Sequence, residues 1–345
     1  MSNAALHLSP NNPLLELLSG ALAPHQLERC AGPEAARVPW KIWGKALHGP
    51  LADFLGRPGK EFRSRMVEYG WRLAGCREPI PQVLPHLVEL LHAGSLIVDD
   101  IEDEGTVRRG RPALHLVCGT ATALNAGNWL YFLPFEELRS AGLPPDRELA
   151  LHHAMNRAML LCHKGQALDI GTRMSDIEQG DVASIVSTTT RFKTGALMEL
   201  SATMGALATG AGPLELRALG TFGRELGMAL QMLDDVGGLT SKAREHKGLE
   251  DVLQSRPTWP WAWLAEELDP ASYHALREQA RRVEAGRQSP KVVLKGLASL
   301  LGESGRERVH LYLGESFRRL ESAFPGVEVL AEIRREMSRL ERSYE

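Results

Sequence analysis

Long stretches of this chain repeat apolar residues at intervals of three and four, and this pattern limits the fold more than any other feature. The clearest stretches are residues 81–103, 146–169, 190–209 and 214–236. Such spacing, in segments mostly rich in Leu, Ala and Met, is typical of helices. Short Gly, Pro and polar clusters at 104–112, 140–146, 171–176 and 210–213 interrupt the pattern. Sustained β-branched alternation is missing, so we expect an all-α fold, a large single-domain helix bundle with short connections.

The beginning of the chain differs from the rest. Residues 1–35 contain four prolines among polar residues, which predicts a loosely attached leader before an all-helical domain at 36–345. The 345 residues are 43% hydrophobic, enough for a large core. No run approaches the roughly 18 apolar residues that span a bilayer, so we expect no transmembrane segment.

Charge and cysteine content narrow the possible partners and compartment. The formal net charge is −3, so nucleic acid is not an expected partner and any phosphate binding must be local. The four cysteines lie far apart without a Cys-x-x-Cys pair. This argues against a zinc site or a disulfide framework, and a cytoplasmic location fits best.

An acidic cluster closes the first long helical stretch. Asp99 and Asp103 share a helix face, and Asp100 lies beside them. Carboxylates this close repel one another unless a cation lies between them, and Mg²⁺ accepts such oxygens together with water and substrate phosphates. Taken alone, the cluster could also be a solvated acidic helix end.

A second acidic pair and a group of basic residues favour the metal. Asp234 and Asp235 follow the apolar stretch 226–233, and two such clusters can face each other across a bundle. Arg108, Arg109 and Arg111 follow the first cluster, and arginine binds phosphate bidentately. Gly59, within a further basic segment, allows the backbone to approach an anion. The combination predicts a metal-dependent polyphosphate site.

These segments closely resemble motifs of the trans-isoprenyl diphosphate synthases, or polyprenyl synthetases, nearest to eukaryotic-type geranylgeranyl diphosphate synthases. The matching segments are PGKEFRSR at 58–65, residues 90–115, FKTG at 192–195 and LQMLDDV at 230–236. Their order and spacing agree over about residues 40 to 265. The resemblance implies an isoprenoid synthase fold with a central active-site cavity and a homodimer. It also implies a prenyltransferase that uses Mg²⁺ to join isopentenyl diphosphate to an allylic diphosphate.

The same resemblance implies roles for individual residues. The implied Mg²⁺ ligands are Asp99, Asp100, Asp103, Asp234 and Asp235. The implied substrate-binding residues are Arg108 and Lys247 for the allylic diphosphate, Lys60, Arg63, His92 and Arg109 for isopentenyl diphosphate, and Gln166 with Asp169 as a further polar pair. Lys193, Thr194 and Gln231 match groups near the developing carbocation. Taken singly, His92 could be a buried histidine, Lys60 and Lys247 surface lysines, and Asp169 an internal partner.

Two positions depart from the family pattern. Gly238 replaces the third aspartate that many members have in the second acidic motif, and Gly237-Gly238 predicts an earlier helix end or a flexible one. Ser255-Arg256 replaces a Gly-Lys pair, which keeps the charge but changes its geometry.

Product length is predicted from the helical turn before Asp99. Gly94 and Ser95 lie on roughly the same face as Asp99 and are small, so they would leave a tunnel open for the growing chain. Trp129 and Phe132 on the following helix would close it one isoprene unit later. We therefore expect a C20 product, and Gly94→Phe should shift it toward C15.

Two alternatives remain open at this point. A class I terpene cyclase on the same fold would need no second diphosphate site, whereas Lys60, Arg63, His92 and Arg109 are all present. A non-catalytic partner subunit of a related synthase would be free to lose acidic residues, yet the first motif is complete.

Overall fold

A computed structural model describes residues 12–59, 61–301 and 303–344, and most of these residues are helical. The all-α prediction is confirmed. The chain forms two compact units, Met1–Glu68 with Glu78–Glu148, and Tyr69–Arg77 with Leu149–Glu345. Among the described helices, none has the length and apolar content that crossing a bilayer requires.

Ten helices of the described chain begin in the first unit. They are α1 Pro13–Ala21, α2 Pro24–Ala31, α3 Pro33–Ala36, α4 Trp40–Trp43, α5 Gly49–Leu55, α6 Phe62–Leu73, α7 Val83–Glu102, α8 Leu114–Cys118, α9 Thr120–Glu137 and α10 Pro145–Gly171. A π-helical turn at Gly44–His48 and a 3-10 turn at Leu138–Ala141 complete the helical elements of this unit. Between α7 and α8, strands β1 (Val107–Arg108) and β2 (Arg111–Pro112) form an antiparallel hairpin that pairs Arg108 with Arg111.

Nine described helices begin in the second unit. They are α11 Val182–Thr190, α12 Ala196–Thr209, α13 Pro213–Thr240, α14 Glu245–Leu253, α15 Trp259–Glu267, α16 Pro270–Glu284, α17 Pro290–Leu301, α18 Ser304–Ala323 and α19 Val329–Arg342. Short 3-10 turns lie at Met174–Asp176 and Gln179–Asp181. A π-helical turn at Arg191–Gly195 joins α11 to α12.

The core of the first unit includes part of the predicted leader. Leu18 of α1 is completely buried, in the same cluster as Leu51, Leu90 and Ile97. The described part of the leader thus contributes apolar packing. The predicted boundary at residue 35 stays a prediction, and residues 1–11 lie outside the described residues.

Helices α7 and α9 approach each other closely at Gly94. A Cβ atom there would lie 2.8 Å from the carbonyl oxygen of Gly127 and 3.1 Å from the Cβ of Leu130. Glycine therefore permits this helix contact, which holds the end of α7 against α9.

Helix α13 continues through Gly237 and Gly238 to Thr240, so the predicted early end of this helix is wrong. The physical reason is packing, because a Cβ at position 238 would lie 3.1 Å from the Cα of Gly248 in α14. An aspartate at 238 would meet the α14 backbone, so this position does not offer a third metal ligand.

Candidate active site

The first acidic cluster lies at the end of α7, as predicted. Asp100 is only 1% exposed, and Arg108 of β1 donates to its Oδ1 from Nε at 2.8 Å and from Nη2 at 2.5 Å. The same Nη2 lies 3.5 Å from Oδ2 of Asp99. Burial raises the pKa of Asp100, while Arg108 opposes that shift. The structure thus brings together two of the predicted carboxylates, Asp99 and Asp100, and one of the predicted arginines.

The donor set of this cluster fits a divalent cation that is shared with a phosphate. Carboxylate oxygens are hard ligands, and the buried Oδ2 of Asp100 has no hydrogen-bond partner. Across residues 12–59, 61–301 and 303–344, no three His, Cys, Asp or Glu side chains converge as a complete protein metal site. Mg²⁺ commonly binds through one or two carboxylates plus waters and substrate phosphates, which matches this open arrangement.

A second group of predicted residues in the first unit is cationic. The guanidinium of Arg109 lies 5.5 Å from the ring centroid of Phe54, and a Cβ at Gly59 would lie 3.5 Å from Nη2 of Arg109. Burial lowers the pKa of Arg109, and Arg63 and Arg108 shift it in the same direction. This concentration of positive charge fits an anion. Lys60, predicted to belong to the same group, lies outside the described residues.

His92 lies close enough to these cations for their charge to affect its pKa. Burial lowers the pKa of its imidazole well below the usual value, and Arg63 and Arg109 lower it further. The side chain is therefore neutral at pH 7. It can donate or accept a hydrogen bond at an anion site without adding charge.

The second acidic cluster, in the second unit, contains Asp234 near the end of α13. Arg244 pairs with its Oδ1, and the Nζ of Lys247 lies 3.1 Å from its Oδ2. Burial alone would lower the pKa of Lys247, but Asp234 and Asp251 outweigh burial and raise it. Lys247 therefore lies beside the second acidic motif, and its predicted contact with the allylic diphosphate stays a prediction.

Asp235 has a different environment from Asp234. It is 7% exposed, and its two oxygens accept hydrogen bonds from the Nε2 of Gln231 at 2.8 Å and from the backbone N–H of Trp259 at 2.9 Å. Burial raises its pKa to about 8, and Asp251 adds to the shift. Asp235 therefore anchors the start of α15. The predicted roles of Asp234 and Asp235 as metal ligands stay predictions.

The residues predicted to face the carbocation belong to two bonded polar groups in the second unit. The Nζ of Lys193 lies 2.5 Å from Oδ2 of Asp169, and the hydroxyl of Thr194 donates to Oε1 of Gln231 at 3.3 Å. Gln231 in turn donates to Asp235. Gln166 lies three residues before Asp169 and shares its face of α10.

The predicted chain-length residues lie on α7 and α9 in different environments. Gly94 faces the backbone of α9 rather than open space, so a phenylalanine there would separate two helices. Phe132 is 71% exposed in the single chain, and its predicted role stays a prediction. Trp129 is half-buried against the core of the first unit. Ser95 is also half-buried, and its hydroxyl donates to the carbonyl of His92 at 2.8 Å.

The sequence interpretation missed two carboxylates. Asp53 of α5 pairs with Arg57 and Arg111, and Asp251 of α14 lies 3.9 Å from Arg256. Burial raises the pKa of Asp251 to about 6, although Lys247 and Arg256 oppose the shift. Its spacing of four residues from Lys247 was the available signal for Asp251, whereas Asp53 lies in no recognised motif.

Comparison with known proteins identifies the family of this chain. The sequence profile of the polyprenyl synthetase family matches residues 44–295. The geranylgeranyl pyrophosphate synthase of Eremothecium gossypii is 31% identical over 267 residues, covering 74% of this chain and 82% of that protein. The geranylgeranyl diphosphate synthase of Sulfolobus acidocaldarius is 32% identical over 190 residues, covering 54% of this chain. The match spans only 56% of the Sulfolobus protein.

Solved structures show the same fold. Heptaprenyl diphosphate synthase from Staphylococcus aureus superposes with a TM-score of 0.76 at 19% identity, covering 96% of both chains. A Corynebacterium glutamicum geranylgeranyl pyrophosphate synthase, complexed with isoprenyl diphosphate and magnesium, has a TM-score of 0.71 at 20% identity. That alignment covers 96% of this chain and 98% of the other.

Proposed function

Because the chain belongs to the polyprenyl synthetase family, we propose that it condenses isopentenyl diphosphate with an allylic diphosphate to form a trans-prenyl diphosphate, with geranylgeranyl diphosphate as the expected product. One observation carries the proposal. The first unit contains an acidic cluster with Arg108 and, in addition, a cationic group formed by Arg109, Arg63 and the neutral His92. The acidic cluster with Arg108 suits one metal-bound diphosphate. The separate cationic group suits the diphosphate of a second substrate.

The residues of the first cluster bind and activate the allylic diphosphate. Asp99, Asp100 and Asp103 would hold Mg²⁺, which neutralises charge on the leaving diphosphate. Arg108 is held by Asp100 with its guanidinium at the edge of the cluster, where it can donate to the diphosphate oxygens. Asp234 and Lys247 of the second cluster provide a further carboxylate and a further cation.

The remaining residues orient the second substrate and stabilise the cation. Arg109, Arg63 and His92 would bind the diphosphate of isopentenyl diphosphate. The oxygens of Thr194 and Gln231 can stabilise positive charge on the allylic carbon through their lone pairs, and Asp169 compensates the charge of Lys193. The allylic C–O bond breaks, the isopentenyl double bond attacks the resulting cation, and the released diphosphate accepts the lost proton. No protein nucleophile takes part.

A product assay tests this function. The protein is incubated with Mg²⁺, isopentenyl diphosphate and a C5, C10 or C15 allylic diphosphate, and products are identified by mass. We expect a C20 prenyl diphosphate that forms only when both substrates are present. A cyclic hydrocarbon formed from an allylic diphosphate alone would indicate a cyclase, and no product until a related synthase is added would indicate a partner subunit.

Homodimerisation is part of the proposal. Two large apolar side chains of α9, Leu124 and Phe132, are exposed, and a second copy would remove them from water. Light scattering after size exclusion should therefore give twice the chain mass of 37.9 kDa. Phe132→Ser should shift that mass toward the monomer, and a monomeric wild-type protein would contradict this proposal. The cytoplasmic location stays a prediction from the cysteine pattern.

A further inference from the structure

We infer that Asp53 is a positioning residue that holds the arginine hairpin, residues 107–112, in the geometry needed for diphosphate binding. The inference rests on the proposed function, because it assigns Asp53 a role in placing Arg108 and Arg109. Asp53 itself need not touch either substrate.

The carboxylate of Asp53 joins two separate parts of the chain. Its Oδ2 lies 2.6 Å from Nη2 of Arg57, four residues later and just beyond the end of α5, and its Oδ1 lies 2.5 Å from Nη2 of Arg111 in β2. The side chain of Arg57 is fully buried, whereas that of Arg111 is 47% exposed. One oxygen of this carboxylate therefore connects α5 to the hairpin, and the other connects it to Arg57.

Arg57 extends this connection to the functional arginines. Its Nη1 donates to the carbonyl oxygen of Arg108 at 3.1 Å, and the Nη1 of Arg109 donates to the carbonyl oxygen of Arg57 at 3.3 Å. The guanidinium groups of Arg57 and Arg109 lie 5.3 and 5.5 Å from the ring centroid of Phe54. The segment at Arg57 and the hairpin are therefore joined by two hydrogen bonds, each from an arginine side chain to a backbone carbonyl oxygen of the other segment.

The hairpin depends on such anchors because it is small. Each strand has two residues, and the turn contains Arg109 and Gly110 at φ of 54° and 73°. A two-stranded hairpin is marginally stable by itself, and a positive φ is unfavourable for arginine. Since Arg108 pairs with Arg111 across the hairpin, fixing Arg111 also fixes Arg108.

Asp53 also provides negative charge among the arginines of the hairpin and the segment before it. Arg57, Arg108, Arg109 and Arg111 lie close together, and Asp53 bonds to the two that have no assigned substrate. If the charge of Asp53 is removed, the buried guanidinium of Arg57 loses its carboxylate partner. A buried charge without a partner is costly, so Arg57 and the hairpin that it contacts would shift.

The experiment compares Asp53→Asn with the wild-type enzyme. We expect the KM for both diphosphates to rise at least tenfold, with a smaller change in kcat, because the hairpin carries residues for both. Glu136→Gln is the matched control: its carboxylate pairs with Arg29 at 3.7 Å on the surface of the same unit. The control should keep wild-type KM values. A purely structural role would lower the fraction of active enzyme and so reduce kcat while leaving KM unchanged.

A second variant keeps the test decisive if Asp53→Asn does not fold. Arg111→Gln alters the half-exposed end of the connection and should raise both KM values in the same direction. If the two residues act together, Arg111→Gln should have a smaller effect in the Asp53→Asn background than in the wild type. Unchanged KM values in Arg111→Gln, or equal effects in both backgrounds, would overturn the inference.

Failure of the proposed function can be recognised separately. A wild-type protein that makes no prenyl diphosphate would refute that function. Calorimetric titration with inorganic diphosphate and Mg²⁺ would then still test Asp53. Weaker binding by Arg111→Gln and Asp53→Asn than by Glu136→Gln is expected, and equal binding by all three would overturn the role of Asp53.

Discussion

At the residue scale, Gly94 and Ser95 precede Asp99 by about one helical turn but have different surroundings. A Cβ at 94 would collide with the backbone of α9, whereas Ser95 is half-buried and its hydroxyl donates to the carbonyl of His92 in its own helix. We expect Ser95→Phe to shorten the product from C20 to C15, because the ring would occupy space on the carboxylate face. Gly94→Ala should instead lower the free energy of unfolding, by roughly 1–3 kcal/mol for overpacking.

Product masses and thermal melts check these two changes. Ser95→Ala serves as the control, since it removes the hydroxyl without adding bulk, and it should keep the C20 product. An active Ser95→Phe enzyme that still makes only C20 would mean that the growing chain does not pass residue 95.

Arg109 distinguishes a two-substrate enzyme from a cyclase. Burial lowers the pKa of its guanidinium, Glu89 opposes that shift, and Arg63 and Arg108 add to it, so a bound anion would stabilise this cation. A charge-assisted hydrogen bond contributes roughly 1.5–3 kcal/mol. Arg109→Gln should therefore raise the KM for isopentenyl diphosphate ten- to a hundredfold.

The allylic substrate provides the comparison for Arg109→Gln. Its KM should change less, and the exposed Arg29→Gln should leave both constants at the wild-type values. An equal rise for both substrates would assign Arg109 to a shared site, and no rise would remove the proposed second diphosphate site.

The sequence identified side chains by motif, but it did not reveal which way they point. Asp234 and Asp235 are adjacent, yet one pairs with Arg244 and Lys247 while the other is buried beneath the start of α15. Adjacent helical residues point about 100° apart, so a motif alone does not fix their partners. Asp53 could not be found because its significance depends on arginines that are 4 and 58 residues away in the chain.

At the element scale, the π-helical turn Arg191–Gly195 depends on a close approach by α10. A Cβ at Gly165 would lie 2.3 Å from the backbone nitrogen of Lys193 and 2.8 Å from its Cα. Gly165→Ala should displace the turn and so disturb the pair between Lys193 and Asp169. We expect kcat to fall at least tenfold, with smaller changes in both KM values.

A matched glycine lies at the end of the same helix. A Cβ at Gly171 would meet no atom within 4 Å, so Gly171→Ala should keep the wild-type kcat. Steady-state kinetics with both variants, after circular dichroism has confirmed helical content, makes the comparison. Wild-type turnover in Gly165→Ala would show that the turn tolerates displacement.

Helix ends were harder to predict than helix existence. The expected break at Gly237-Gly238 follows from the low helix propensity of glycine, yet α13 continues to Thr240. Tertiary packing of Gly238 against Gly248 overrides the local preference. Sequence spacing contains no information about that contact, which joins residues ten positions apart on different helices.

At the scale of the whole molecule, the helical class was predictable because the apolar period of 3.6 persists over long segments. Residues 81–103 and 214–236 correspond to α7 and α13, with boundaries within a few residues. The two compact units were not predicted, because their contacts join distant segments, such as residues 69–77 with 149–345. Burial of Leu18 was missed for the same reason, since its partners lie in α5 and α7.

The stability of the whole chain should depend on pH through buried carboxylates of the second unit, chiefly Asp235. The pKa of Asp235 is raised from 3.8 to about 8 on folding, chiefly by burial. The folded state therefore retains a proton that the unfolded state releases between these values, so stability is lost as pH rises through this range. One such proton changes the free energy of unfolding by at most about 1.4 kcal/mol per pH unit. Asp251, with a pKa of about 6, contributes in the same direction mainly below pH 6.

Denaturant unfolding between pH 6.5 and 8 in EDTA isolates this contribution. The free energy of unfolding of the wild type should fall with rising pH, and Asp235→Asn should flatten the slope because its amide carries no titrating proton. Asp269→Asn is the control: hydrogen bonds from Ser272 lower the pKa of that exposed cap, so it does not titrate in this range. Equal slopes in the wild type and Asp235→Asn would show that Asp235 is already ionised in the folded protein, and its place as the neutral anchor of α15 would then have to be given up.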